Sequence, residues 1–140
     1  MVRLGPAADE DDAAWIYPDL QLAEVPELIL GFGPRLVALT CGASGALARS
    51  RTAAVDVPAM PVTVVDTVGA GDSFGAALVA ALIDERALGP GAEREFDEGV
   101  IRRAVTYAVA ASAVTCMRTG AVPPSRSEID ELFPLLSVYG

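Results

Sequence analysis

VTVVDTVGAGDSFGAALVAAL, the stretch from Val62 to Leu82, contains the signals for a strand, a tight turn and a helix in direct succession. Valine and threonine, which are β-branched, dominate its first residues, and this predicts a short buried strand. Two glycines and two carboxylates follow within Asp66–Asp72. From Ser73 onward, phenylalanine, alanine and leucine recur at the spacing of one helix face. The stretch is therefore predicted to form a strand, a glycine-bearing turn and a helix.

The predicted turn has the properties of an anion-binding site. The first amides of a helix lack partners within the helix and carry partial positive charge. Gly69 and Gly71 would leave these amides uncovered, because glycine has no side chain. Asp72 lies where the helix begins, so its carboxylate could take a proton from a hydroxyl that attacks a bound phosphate. On the residues alone, a tight turn in which Asp72 only caps the helix is an equally good interpretation.

The order Asp-Thr-x-Gly-Ala-Gly-Asp at 66–72, followed directly by a helix of small residues, resembles the signature of the PfkB carbohydrate kinases, the ribokinase-like family. Neither a Walker A pattern nor G-x-G-x-x-G is present. The resemblance is to a fructokinase-like member. It implies an α/β fold, here the C-terminal part of a ribokinase-like three-layer α/β/α sandwich. It also implies transfer of the γ-phosphoryl group of ATP to a sugar hydroxyl, with Mg²⁺ neutralising the phosphates.

The resemblance assigns roles to individual residues. Asp72 would be the catalytic base, Asp66 would order the turn, and backbone amides would hold the transferring group: Gly69, Ala70 and Gly71. The nucleotide would contact Thr40, Gly42, Gly45, Gly71, Asp72 and Val109. Val109 departs from the family pattern, in which Asn or His often stands near the adenine base, and so removes a polar contact. In potassium-activated relatives, carbonyl oxygens hold a monovalent cation (K⁺), and the matching positions here are Asp66, Val68, Thr115, Arg118 and Gly120.

The glycines after the predicted strand Arg35–Thr40 allow two interpretations. Cys41–Gly45 turns the chain toward Ala46–Ala48, and taken alone Gly42 and Gly45 are typical of a β-hairpin. In PfkB kinases a similar Thr-x-Gly-x-x-Gly segment lines the nucleotide site. Both interpretations can hold together.

The flanking segments are predicted from periodicity and from capping residues. Asp9–Asp12 begins a helix that Pro18 ends, with Trp15 expected as a core anchor. Ser125–Glu128 fits a capping box, and its helix runs through Leu132 with Ile129, Leu132 and Phe133 buried, ended by Pro134. The remaining predictions are a strand tail in Met1–Pro6, helices in Gln21–Leu30 and Phe96–Met117, a strand in Ala53–Val57 and a surface loop in Asp84–Glu95.

Composition limits the classes of function. The chain has 140 residues, 52% of them hydrophobic, and a net charge of −9, which disfavours nucleic acid as a partner. Two isolated cysteines and the lack of histidine argue against disulfides or a Cys/His metal site and suit a reducing cytoplasm. No signal peptide or membrane-spanning stretch is recognised, so no membrane role is expected.

Members of the family are considerably longer than this chain. Residues 1–140 are therefore expected to be the C-terminal nucleotide-binding and catalytic portion of a kinase domain, without the N-terminal sugar-binding half and lid. Two alternatives remain open: a non-catalytic nucleotide-binding remnant, and a relative that phosphorylates a nucleoside or another alcohol. The family's lid often makes a dimer contact, so a homodimer of the full-length protein stays open as well.

Overall fold

The computed structural model describes the backbone of residues 8–139 and the side chains of residues 9–134. Four strands are present in this part: β1 (Ala8–Asp9), β2 (Leu36–Thr40), β3 (Ala46–Ser50) and β4 (Ala54–Val57). The α-helices are α1 (Glu10–Ile16), α2 (Val25–Leu30), α3 (Ala70–Asp84), α4 (Glu98–Cys116) and α5 (Arg126–Tyr139). Short 3-10 turns cover Leu22–Glu24 and Gly42–Ser44.

The strands form one mixed sheet in the order β1-β2-β3-β4. β1 is parallel to β2, whereas β3 is antiparallel to both β2 and β4. Asp9 pairs with Thr40, Thr40 with Ala46, and Ala46 with Val57. The carboxyl ends of β1, β2 and β4 therefore meet at one edge of the sheet.

Helices cover both faces of this sheet. On one face Ala13 of α1 and Val25 of α2 pack with Leu39 and Cys41. On the other face α3 and α4 bury the larger core against β2, β3 and β4, with Phe74 among its members. β2 serves both layers because successive side chains of a strand point to opposite faces. The arrangement is α/β with helices on both faces, as predicted.

Several local predictions are confirmed. The Asp9 carboxylate accepts a hydrogen bond from the Asp12 amide at 2.8 Å and caps α1. The Cys41–Gly45 turn joins two antiparallel strands, so the hairpin is present. The capping box is also present, since the Ser125 amide donates to the Glu128 carboxylate at 2.7 Å and the Glu128 amide donates to the Ser125 hydroxyl at 3.3 Å.

The strand predicted at Val62–Val65 is wrong. The segment has no regular structure, and Val64 and Val65 are more than half exposed. The amides of Val65 and Asp66 both donate to the carbonyl of Cys116, at 2.8 and 3.2 Å. This stretch is therefore hydrogen-bonded to the end of α4 and not to a neighbouring strand. Pro58 and Pro61, just before this segment, lack amide hydrogens and so also disfavour the hydrogen bonding of a β-sheet.

Two further expectations are wrong. Trp15 is 85% exposed, because α1 turns its small Ala13 toward the sheet and leaves Trp15 outside. Pro134 lies inside α5, which continues to Tyr139. Proline has no amide hydrogen to donate to the carbonyl of Asp130, four residues earlier. Asp130 is exposed, so the helix tolerates the loss of this one hydrogen bond. Ile129 is buried as predicted, whereas Leu132 and Phe133 are only partly buried, and the Met1–Pro6 prediction lies outside the described residues.

Candidate active site

Gly69 fixes the turn that opens α3. It adopts the left-handed conformation, with φ of +80°, and serves as the N-terminal cap of the helix. A Cβ at this position would lie 2.7 Å from the Cβ of Ala121. Both the backbone angle and the close approach of the loop after α4 therefore require glycine here.

The Asp66 carboxylate ties this turn to the same loop. Its Oδ1 accepts a hydrogen bond from the Val68 amide at 3.0 Å, and its Oδ2 accepts one from the Gly120 amide at 2.9 Å. These two backbone hydrogen bonds lower the pKa of Asp66 below its ordinary value. Asp66 thus remains a carboxylate and connects two segments that are 54 residues apart in sequence.

Several backbone amides at the start of α3 are free of hydrogen bonds in the described part of the chain. The Ala70 amide donates to the Thr67 carbonyl at 3.2 Å and is used within the turn. Within residues 8–139, the amides of Gly69, Gly71 and Asp72 have no hydrogen-bond partner. A Cβ built on Gly71 meets no atom within 4 Å, and the Asp72 side chain is exposed. Free amides and a carboxylate therefore share an open surface at a helix N-terminus.

The predicted nucleotide-loop residues lie at the sheet edge where β2 and β4 end. Thr40 is the last residue of β2, and Gly42 and Gly45 both have positive φ, +50° and +97°. A Cβ on Gly45 would lie 2.0 Å from the carbonyl oxygen of Val57. The positive φ and this close approach therefore account for Gly45, and the same contact places the loop against the chain that leads from β4 toward the turn.

The structure separates Val109 from this open surface. Its side chain is 6% exposed and belongs to the larger core. The Val109 side chain therefore faces the protein interior, and its assignment to the nucleotide site stays a prediction.

The predicted cation positions are partly brought together. Asp66 contacts Gly120 directly, as described, and Val68 lies in the same turn. The Thr115 carbonyl accepts the Arg118 amide at 3.3 Å, and the Gly120 carbonyl accepts the Val122 amide at 2.9 Å. Two of the predicted carbonyl ligands thus already carry one hydrogen bond each, although a carbonyl oxygen can accept two.

Sequence reasoning missed three contacts beside the turn. The hydroxyls of Ser73 and Thr115 lie 2.7 Å apart in the core, and Thr115 also donates to the Ala111 carbonyl at 3.1 Å. The guanidinium of Arg118 forms an ion pair with Glu128. Ala121 packs on Gly69. The sequence offered two signals for these contacts: Thr115 in an alanine-rich helix and Glu128 in the capping box. Neither signal indicates which distant residue the side chain contacts.

A cavity in the described part of the chain lies away from this surface. It has a volume of about 160 Å³ and is lined by Ala81, Arg103 and Phe133, among others, near the C-terminal end of α3. A helix of this length separates its two ends by roughly 20 Å, so the cavity is remote from Asp72. Its Arg103 is already paired with Glu85 at 2.7 Å.

The described residues contain neither a membrane-spanning helix nor a cluster of candidate metal ligands. None of their helices is long and apolar enough to cross a membrane. No three His, Cys, Asp or Glu side chains among them converge as metal ligands.

An α/β sheet covered on both faces, with free amides and a carboxylate at a glycine-opened helix, defines an α/β domain with an open helix N-terminus. The chain belongs to the pfkB family of carbohydrate kinases, whose pattern matches residues 6–128. Two curated relatives are a fructokinase of Rhizobium leguminosarum bv. trifolii and a ribokinase of Bacillus subtilis. The chain is 42% identical to the fructokinase over 73 residues, which are 52% of this chain and 22% of that protein. It is 29% identical to the ribokinase over 126 residues, which are 89% of this chain and 37% of that protein.

The fold is similar to that of solved kinases. The crystal structure of ribokinase from Thermotoga maritima superposes with a TM-score of 0.73 and 25% identity, covering 90% of this chain and 40% of that one. Relatives named fructokinase and ribokinase are carbohydrate kinases. The chain thus spans about two fifths or less of the length of the relatives that it matches.

Proposed function

We propose that this chain supplies the nucleotide-binding and catalytic portion of an ATP-dependent sugar kinase of the fructokinase or ribokinase type. The observation that supports the proposal most is the exposed Asp72 carboxylate next to the partnerless amides of Gly69, Gly71 and Asp72. Family membership gives this local arrangement a reaction, because phosphoryl transfer needs both a proton acceptor and donors for the developing negative charge.

In the proposed reaction, the oxygen of a sugar hydroxyl attacks the γ-phosphorus of ATP. The new oxygen–phosphorus bond forms while the bond to the bridging oxygen breaks, and ADP leaves. Asp72 accepts the proton of the hydroxyl. The amides of Gly69 and Gly71 donate to the transferring group, whereas the Ala70 amide is already bonded within the turn. Such preorganised donors stabilise charge as it develops in the transition state.

The proposed reaction involves two metal ions, one bound with ATP and one bound by the loop after α4. Mg²⁺ would accompany ATP and neutralise its phosphates, and the open surface at Gly71 leaves room for a nucleotide–metal complex. K⁺ would take carbonyl oxygens of the turn and the loop, where Asp66 and Gly120 are already in contact. Bound K⁺ would supply fixed positive charge near the phosphates, and its carbonyl ligands would tie turn and loop together.

Binding and turnover can be tested separately. Titration of the ¹⁵N-labelled chain with ATP·Mg²⁺ should shift the amide signals of Gly69, Gly71 and Asp72. For turnover, the chain should replace the segment that it matches in the Bacillus subtilis ribokinase, and ADP formation should be followed with ribose and with fructose. Amide signals that stay in place during the titration would contradict the anion site.

Asp72→Asn in this chimera isolates the base. Asparagine keeps the size and capping ability of aspartate but cannot accept the proton, so kcat should fall by about 10²–10⁴-fold. ATP affinity should change little. If the Asn variant turned over normally, Asp72 would be only a cap.

A second candidate is a non-catalytic nucleotide-binding remnant of such a kinase, because the free amides of Gly69, Gly71 and Asp72 could bind a phosphate without transferring it. Amide shifts with ATP, combined with an inactive but folded chimera, would favour this remnant over the kinase portion.

A further inference from the structure

The end of α4 and the loop that follows it contact the turn from several directions. The Cys116 carbonyl accepts the amides of Val65 and Asp66, the Gly120 amide donates to Asp66, and Ala121 packs on Gly69. Any displacement of this loop must therefore move the turn that carries the free amides.

The loop itself has a second attachment, on α5. Arg118, within the loop, pairs with Glu128 in the first turn of that helix. Glu128 is fixed in its turn by the amide and hydroxyl of Ser125, so it presents a rigid carboxylate to Arg118. Residues 121–123 of the loop are exposed, so the Arg118–Glu128 pair is one of a small set of contacts among the described residues that tie the loop to the rest of the fold.

We infer that Glu128, acting through Arg118, is a positioning residue for the phosphate-binding turn, although it touches neither the turn nor a phosphate. This inference rests on the proposed function. The ion pair is partly exposed, with 30% and 43% of the two side chains accessible. Partly exposed ion pairs contribute little to overall stability. Its loss should therefore appear in the position of the loop and turn more clearly than in the melting temperature.

The first test uses Glu128→Gln in the whole chain. Glutamine can still accept the Ser125 amide and keep the capping box, but it loses its charge toward Arg118. We expect hydrogen exchange at the Gly120 amide to accelerate by about two- to fivefold, the size that an exposed ion pair predicts. Inorganic phosphate, followed through the Gly71 and Asp72 amide signals, should bind about two- to fivefold more weakly.

Arg126→Met is the matched control. Arg126 lies in the same first turn of α5 but pairs with Asp84, at 2.6 Å, near the far end of α3. Its loss should leave both readouts unchanged. A double-mutant cycle with Arg118→Met should show that the second substitution adds nothing once the first has been made.

The outcomes separate the two proposals. If phosphate does not bind even to the unsubstituted chain, the anion site fails, and Gly120 exchange alone decides the positioning role. Unchanged Gly120 exchange in Glu128→Gln overturns the inference. An equal effect of Arg126→Met also overturns it, because general docking of α5 would then be responsible.

Discussion

Gly69→Ala should destabilise the fold through one identifiable contact. The new Cβ would lie 2.7 Å from the Cβ and 3.0 Å from the Cα of Ala121, well inside van der Waals distance. The residue would also have to keep a φ of +80°, which costs an L-residue with a side chain about 1–2 kcal/mol. Relief of the clash would push the loop outward and weaken the 2.9 Å hydrogen bond from Gly120 to Asp66.

The backbone angle and the clash together should cost about 2–3 kcal/mol in the free energy of unfolding. For a chain of this size, that lowers the melting temperature by roughly 6–12 °C. Thermal unfolding followed by circular dichroism measures it directly. Amide shifts of Gly71 and Asp72 on phosphate titration would show whether the turn has moved as well.

Two further variants make the measurement specific. Gly71→Ala is the matched control, because its Cβ meets no atom within 4 Å and alanine favours a helix by about 1 kcal/mol. It should melt slightly higher than the unsubstituted chain. Ala121→Gly added to Gly69→Ala should recover the steric part but not the backbone part. If Gly69→Ala melted at the temperature of the unsubstituted chain, this result would contradict the close packing of the turn against the loop.

Three other perturbations give expected outcomes from single features. Thr115→Val leaves the buried Ser73 hydroxyl without its partner and should cost about 1–3 kcal/mol in chemical denaturation, whereas Thr115→Ser should recover most of it. The lowered pKa of Asp66 means that its contribution to stability is complete above its ordinary value of 3.8 and is lost as the pH falls below that value. In Asp66→Asn the free energy of unfolding should therefore depend less on pH below that value than in the unsubstituted chain. An unchanged pH dependence would contradict this contribution. Trp15→Gln should change the free energy of unfolding by less than about 0.5 kcal/mol, because Trp15 is 85% exposed, and a large loss would place Trp15 back in the core.

The sequence alone determined the local elements of this protein. The helix after Asp72, the long alanine-rich helix α4, the hairpin glycines and the capping box at Ser125 were all readable, because each depends on periodicity or on residues within one turn of one another. The Asp-Thr-x-Gly-Ala-Gly-Asp signature likewise pointed to the family that the comparisons then showed.

Local pattern failed where a neighbour decides the outcome. Val62–Val65 has the composition of a strand, but the amides of Val65 and Asp66 bond to the end of α4. Trp15 has the size of a core residue, but the helix buries its alanine instead. Pro134 signals a helix end, yet the helix loses only one exposed hydrogen bond by continuing.

Only the tertiary structure decided how the turn is held. Asp66 meets Gly120 across 54 residues, Ser73 meets Thr115 across 42, and Gly69 meets Ala121. No periodicity connects residues so far apart, because their contact depends on how α3 and α4 pack. The signature thus predicted which residues would face a phosphate, whereas the folded structure decided which of their amides have no hydrogen-bond partner within residues 8–139.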